Sequence, residues 1–203
     1  MSAGGKRFPL QVAREIAVTL LEELAPECLR IEIAGSIRRE KETVGDIELV
    51  YVSKSEAEAD LFGNPVGFRE RADMVIESLL DAGVLAKRKN VKGSEIWGAK
   101  NKLAVHVESG IPVDLFATSQ LDFANYLVCR TGPGDLNKEI AMRAQRRGLK
   151  WHPYGFGFER LSDGEPLVMQ WEADVFKTVG LPWMDPNKRD DWEAQAAKFR
   201  GQI

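Results

Sequence analysis

The residues with the clearest chemical content are three acids set in apolar strands. Asp46 and Glu48 open the run "DIELVYV", one residue apart. Side chains at i and i+2 of a strand point to one face, so these two carboxylates repel each other, and each costs free energy to bury. A third acid, Asp114, sits in "IPVDLF" between Val113 and Leu115. Three hard-oxygen donors on neighbouring strands call for something positive between them. That role suits Mg2+, which keeps several waters and bridges to substrate phosphates. A pair of such ions about 4 Å apart serves in-line displacement at phosphorus, one activating the attacking oxygen and the other steadying the leaving group.

Upstream of the pair, "AGSIRREKETVGDIE" sets Gly35-Ser36, then Arg38 and Arg39, before the acids. A Gly-Ser turn leading into a helix offers backbone N–H groups and a hydroxyl to a phosphate. A guanidinium fork neutralises a polyphosphate leaving group. Taken singly, each piece has an ordinary reading: acids on an edge strand, a plain turn, a solvated arginine pair. Their fixed order, with a third strand acid downstream, points to one phosphoryl-transfer site.

The elements that must position these groups are legible around them. Phe8 to Leu24 has helical spacing, with Val12, Ile16, Leu20 and Leu24 on one face and Pro26 ending it. "CLRIEI" alternates as a strand up to Gly35, and Asp46 to Val52 forms a second. Ser53 to Val66 reads as an acidic loop, Phe68 to Ala82 as a helix capped at Gly83, and Leu103 to Val107 with Ile111 to Ala117 as a hairpin. Leu121 to Cys129 is helical, "TGPG" breaks the chain, and Asp135 to Arg147 is a basic helix ending at Gly148. Beyond Trp151, short strands and turns are expected. The order predicts an α+β fold in two lobes.

With 203 residues, the chain suffices for one core or two small lobes sharing a cleft. The net charge of −3 means that nucleic-acid contact must rest on local patches. The basic helix supplies one such patch, and the Lys87–Lys102 cluster another, with Trp97 read as packing. Cys28 and Cys129 lack any zinc-type spacing and read as reduced thiols. His106 and His152 stand alone, and metal-assisted phosphoryl transfer needs neither. No apolar run is long enough to span a membrane, and the start lacks a signal peptide's apolar core. The expected location is the cytoplasm.

The stretch "GSIRREKETVGDIE" resembles the nucleotidyltransferase signature of family X DNA polymerases, in its polymerase β-like form. "VDLF" is similar to that family's third-carboxylate strand. "RTGPGDLNKEIAMRAQRRGLKWHPYGF" resembles the start of its thumb subdomain, and "VGLPWMDPNKRD" the end. The resemblance implies a nucleotidyltransferase palm over residues 1–120, a mixed small sheet with flanking helices, then a small α/β thumb subdomain over 121–203. The expected form is a minimal palm-plus-thumb one, with no deoxyribose-phosphate lyase domain, helix-hairpin-helix fingers or phosphoesterase domain anticipated within these residues.

The resemblance further implies that Asp46, Glu48 and Asp114 are the catalytic, metal-holding residues, for two Mg2+ ions with Mn2+ as a substitute. Gly35, Ser36, Arg39 and Gly45 serve the triphosphate, Thr131 and Gly132 the sugar, and Asn137 the base. Lys138 lies near the templating base, and the basic helix adds Arg143, Arg146 and Arg147 as DNA contacts. The implied reaction transfers dNMP from dNTP to a primer 3′-OH, on primer/template or gapped DNA, by a monomer with or without repair partners. The chain departs from the family pattern at Glu48, where an aspartate is usual, at Cys129-Arg130, where Tyr-Phe is usual, and at Pro133 and Ala141. Two alternatives stay open: a template-independent or ribonucleotide-incorporating transferase, and a weakly catalytic nucleotide- or DNA-binding module.

Overall fold

The carboxylate strands sit at the middle of the larger sheet, in a computed structural model that describes residues 6–62 and 64–200. A two-residue strand, β1 (Phe8–Pro9), precedes α1 (Leu10–Leu24). After a 3-10 turn at Ala25–Glu27 come β2 (Cys28–Ile33) and the single-turn helix α2 (Gly35–Arg38). Then follow β3 (Thr43–Val44), β4 (Ile47–Ser53), β5 (Ser55–Ala59), β6 (Pro65–Glu70) and α3 (Arg71–Asp81). The sheet is completed by β7 (Leu85–Lys87), β8 (Asn101–His106) and β9 (Pro112–Ala117). Its order is β2-β4-β9-β8-β7. The central pair β4/β9 is parallel and the other pairs are antiparallel, so this is a mixed sheet flanked by helices, as expected.

Burial explains the sequence patterns. Helix α1 turns Ala13, Ala17, Leu20 and Leu24 inward, and β4 is apolar on both sides because α1 and α3 cover one face while a later helix covers the other. That helix, α4 (Phe123–Thr131), packs Phe123, Tyr126 and Leu127 onto Val50, Val52 and Phe116. The second lobe contains α5 (Gly134–Arg146), β10 (Leu149–His152), β11 (Gly157–Arg160), β12 (Pro166–Val168), α6 (Glu172–Thr178) and α7 (Trp192–Arg200). Its own core centres on Leu136, Ile140, Phe158, Val175 and Phe176.

Three expectations need correction. Residues 53–66 are not a loop: β5 and β6 pair as an antiparallel ribbon, with Ala57 opposite Phe68. The ribbon stands off the core, and Leu61, Phe62 and Phe68 are exposed, so it carries no core-facing alternation to read. The two helices expected to begin at Phe8 and Phe68 start at Leu10 and Arg71, because the preceding residues pair as strands. The segment after Val168 is largely helical, in the short pieces α6 and α7, and at the start of the first the Trp171 N–H donates to the Asp174 carboxylate at 2.9 Å.

Candidate active site

Parallel pairing brings the acids together. Glu48 on β4 is the register partner of Asp114 on β9, and Asp46 lies one residue before β4, at the mouth of the same strand. Above them the chain leaves β2 at Ala34, whose N–H donates to the Glu48 carbonyl at 2.8 Å. Gly35 then adopts φ +62°, and a Cβ there would overlap the Glu48 carboxylate. Only glycine meets both demands at this position. Ile37 is buried and pins α2 to the core, which leaves Ser36 and Arg39 facing a cleft of about 720 Å3 shared with Gly45, Asp46, Glu48 and Arg88.

The trio is short of positive charge. Burial raises the Glu48 carboxyl to about 8, and the neighbouring Asp46 and Asp114 add to the rise against Arg130 and Arg39. Burial likewise raises Asp46, partly offset by Arg88, Arg7 and Arg39. Asp114 is raised by burial too, with Arg88 beside it as the main offset. Arg88 forms an ion pair with Asp114 and donates from Nε to the Ala104 carbonyl at 3.0 Å. Among the described residues, no three His, Cys, Asp or Glu side chains are grouped to hold a metal ion. The donor chemistry nonetheless fits a hard divalent cation: three carboxylates, each raised by burial, with a guanidinium at the third.

The remaining predicted residues fall in several places. Thr131 and Gly132, at the end of α4, contact the arginines of the Gly-Ser turn. Arg38 donates to Thr131 Oγ1 at 2.8 Å, Arg39 donates to the Thr131 carbonyl, and a Cβ at Gly132 would lie 3.4 Å from Arg39 Nη1. Asn137 donates to the Cys129 carbonyl at 2.8 Å, and its own carbonyl oxygen is buried without a partner. Lys138, Arg146 and Arg147 are exposed. Arg143 differs: it is turned to Glu139 at 2.7 Å and to the Gly180 carbonyl at 3.2 Å, so its charge is spent within the lobe. Cys28 and Cys129 are free thiols, both pushed up to about 11, chiefly by burial.

Other residues at the site carry little or no local signal. Lys6 and Arg7 line the cleft beside Asp46, with Arg7 Nε donating to Thr43 Oγ1 at 3.3 Å. The β1/β3 pairing brings them there, and a two-residue strand leaves no pattern. Arg130 lays its guanidinium 3.5 Å from the Phe116 ring centre and 4.8 Å from that of Tyr154. Arg38 forks onto Glu172 at 2.6 and 2.8 Å, and the fully buried Arg189 joins the same carboxylate at 2.9 Å. Arg39 pairs with Asp190 at 3.2 Å. A second cavity of about 540 Å3, lined by Tyr51, Lys100, Tyr126 and Tyr154, opens at the far end of β4 and holds none of the three acids.

A mixed sheet with carboxylates on adjacent strands under a Gly-Ser turn, followed by a small α/β lobe, defines a nucleotidyltransferase-like palm-and-thumb fold. Comparison with known proteins is in keeping with it. Residues 126–190 match the family described as DNA polymerase beta thumb. The chain is 27% identical over 187 residues to the DNA polymerase/3'-5' exonuclease PolX of Bacillus subtilis (strain 168), an alignment that covers 91% of this chain and 29% of that protein. The chain is thus family X polymerase-like, and it spans under a third of the length of this curated relative. Among the described residues, no helix is long and apolar enough to cross a membrane.

Proposed function

We propose that this chain is a metal-dependent DNA nucleotidyltransferase that adds dNMP from dNTP to a primer 3′-OH and releases pyrophosphate, in template-directed synthesis across short gaps. The observation that carries the proposal is the register pairing of Glu48 with Asp114 beside Asp46, in a cleft that also presents Ser36, Arg39 and Arg7. Residues 1–120 carry the chemistry, and 121–203 form a thumb-like subdomain over it.

Asp46, Glu48 and Asp114 would hold Mg2+, or Mn2+ in its place; when bound, the ions supply the charge that activates the attacking oxygen and offsets the leaving group. In the transfer, the 3′ oxygen bonds to the α-phosphorus as the bond from that phosphorus to the bridging oxygen breaks. Arg39 and Arg7 neutralise the departing pyrophosphate, and Ser36 donates to a phosphate oxygen. Asp114 orients the 3′-OH and takes up its proton as the new bond forms. Gly132 lets the nucleotide sugar approach the backbone, and Asn137 turns to the base edge. Lys138, Arg146 and Arg147 track the DNA backbone.

Primer extension on gapped DNA with Mg2+ tests the reading. Asp46→Asn and Asp114→Asn are each expected to lower the rate by about 10²–10³-fold, since each removes several kcal/mol of charge stabilisation. Undiminished extension by either variant refutes it. A second reading, ribonucleotide incorporation, draws on Arg130, whose side chain is committed to Phe116 and Tyr154 rather than to the sugar side at Gly132. Equal use of ribo- and deoxynucleotides by the wild type would favour it.

A further inference from the structure

Arg88 occupies an unusual position for a surface cation. It leaves the end of β7, its N–H donates to the Leu103 carbonyl at 3.0 Å, and its Nε donates to the Ala104 carbonyl at 3.0 Å. Its guanidinium is therefore fixed to the β8 backbone at one end, while the other end, Nη2, reaches Asp114 Oδ1. Both side chains are largely covered, at 25% and 16% exposure, so solvent screens the pair only in part. Among the described residues, no other side chain or backbone N–H donates to the Asp114 carboxylate.

The same side chain lines the cleft together with Asp46 and Glu48. Yet one cation in contact with one of three clustered carboxylates cannot balance them all. Of the other cations lining the cleft, Lys6, Arg7 and Arg39, the last is shared with Asp190 of the second lobe. The site thus gains from a divalent cation, but that ion must compete with a guanidinium for the same Asp114 oxygen.

We propose that Arg88 is a built-in counter-cation of the carboxylate site, holding Asp114 in the metal-free protein and yielding it when a divalent cation binds, so that it sets the metal affinity of the cleft. This rests on reading Asp46, Glu48 and Asp114 as the metal ligands. The tether to Ala104 gives the device its economy of motion: only the Nη end must swing away, and the charge stays in the cleft. The coupling is reciprocal: whatever the ion gains by displacing Arg88, Arg88 costs the ion. Arg88 acts through Asp114 and is a positioning residue.

The test is Mn2+ binding to the full chain without DNA or nucleotide, read from the spin-resonance signal of free Mn2+. Arg88→Gln is expected to bind Mn2+ about fivefold or more tighter than wild type, and in an Asp114→Asn background to change nothing further. Equal or weaker binding by Arg88→Gln overturns the proposal, as does tightening that persists without the Asp114 carboxylate. If Asp114→Asn alone binds Mn2+ as wild type does, the metal-ligand reading itself fails, a result distinct from failure of the Arg88 role. Should Arg88→Gln not fold, nitrogen NMR of the wild-type side chain decides. Saturating Mg2+ is expected to free the Arg88 Nη groups to rotate while Nε–H keeps its bond to Ala104, and an unmoved Nη signal overturns the proposal.

Discussion

Of Asp46, Glu48 and Asp114, only Asp114 is in direct contact with a guanidinium among the described residues, whereas at the joint between the lobes the single carboxylate of Glu172 is gripped by two, Arg38 and Arg189. The titration of the two clusters differs accordingly. Burial raises all three carboxyls of the trio, and neighbouring carboxylates add to the rise at Glu48 and Asp114. Burial also pushes Glu172 up, but the hydrogen bond from Arg38 and the charges of Arg189 and Arg38 outweigh it and leave the group below the usual glutamate value. The contrast separates a site awaiting a cation from a finished joint. Uncompensated buried carboxylate costs stability and is tolerated where something else will bind.

The largest effect expected from breaking this contrast is at the joint. Glu172→Ala leaves Arg189 buried and Arg38 half-buried without their carboxylate, and the loss should be about 3–5 kcal/mol in urea unfolding. A loss under about 1 kcal/mol would place Glu172 with ordinary surface pairs. Gly35→Ala comes next, because the new methyl meets the Glu48 carboxylate while the backbone keeps a left-handed φ. It should cost about 2–3 kcal/mol, and Glu48→Asp in the same chain should return part of that, since the shorter acid withdraws from the turn. Equal melting temperatures for the single and double variants would contradict the overlap.

The pH dependence sharpens the contrast with a smaller effect. A carboxyl lowered in the folded state stabilises above its unfolded value, here 4.5, and the stabilisation is lost as pH falls through the folded value. Thermal melts of wild type should therefore drop below pH 4.5 more steeply than those of Glu172→Gln; parallel curves would remove Glu172 from the acid transition. The smallest difference lies within one helix. Arg146→Ala should shallow the plot of log affinity for DNA against log salt by about 0.7–0.9, while Arg143→Ala, whose cation is tied to Glu139 and Gly180, should leave the slope alone and lower the melting temperature instead.

What could be read from the sequence follows from how each feature is encoded. Strands β2 and β4 carry their facing in local alternation, and the acids of "DIE" and "VDL" stand out because charge is rare in such strands, so the sheet and its carboxylates were legible. The Gly35 requirement was half legible: the turn was visible, but its reason, the Glu48 oxygen beneath it, is a contact between strands. The joint was not legible at all. Arg38 and Glu172 are 134 residues apart, and a glutamate in "QWEADVF" has the look of any first-turn acid. Nor does charge count distinguish Arg143 from Arg146, since only the packing of α5 against Gly180 decides which is spent. The β5–β6 ribbon escaped for the opposite reason: its large apolar residues stay exposed and none joins a core, so no core-facing periodicity was imposed on it.

That ribbon also sorts the molecule's charge. Residues 55–70 hold Glu56, Glu58, Asp60 and Glu70 against Arg69 alone, which equals the −3 formal excess of the whole chain. The rest of the protein is therefore neutral in sum, and its apparent acidity belongs to one projecting arm. A polyanion approaching the cleft meets a body without net repulsion and a single repelling vane. Toward any polyanion, that arm is where the chain's net negative charge repels.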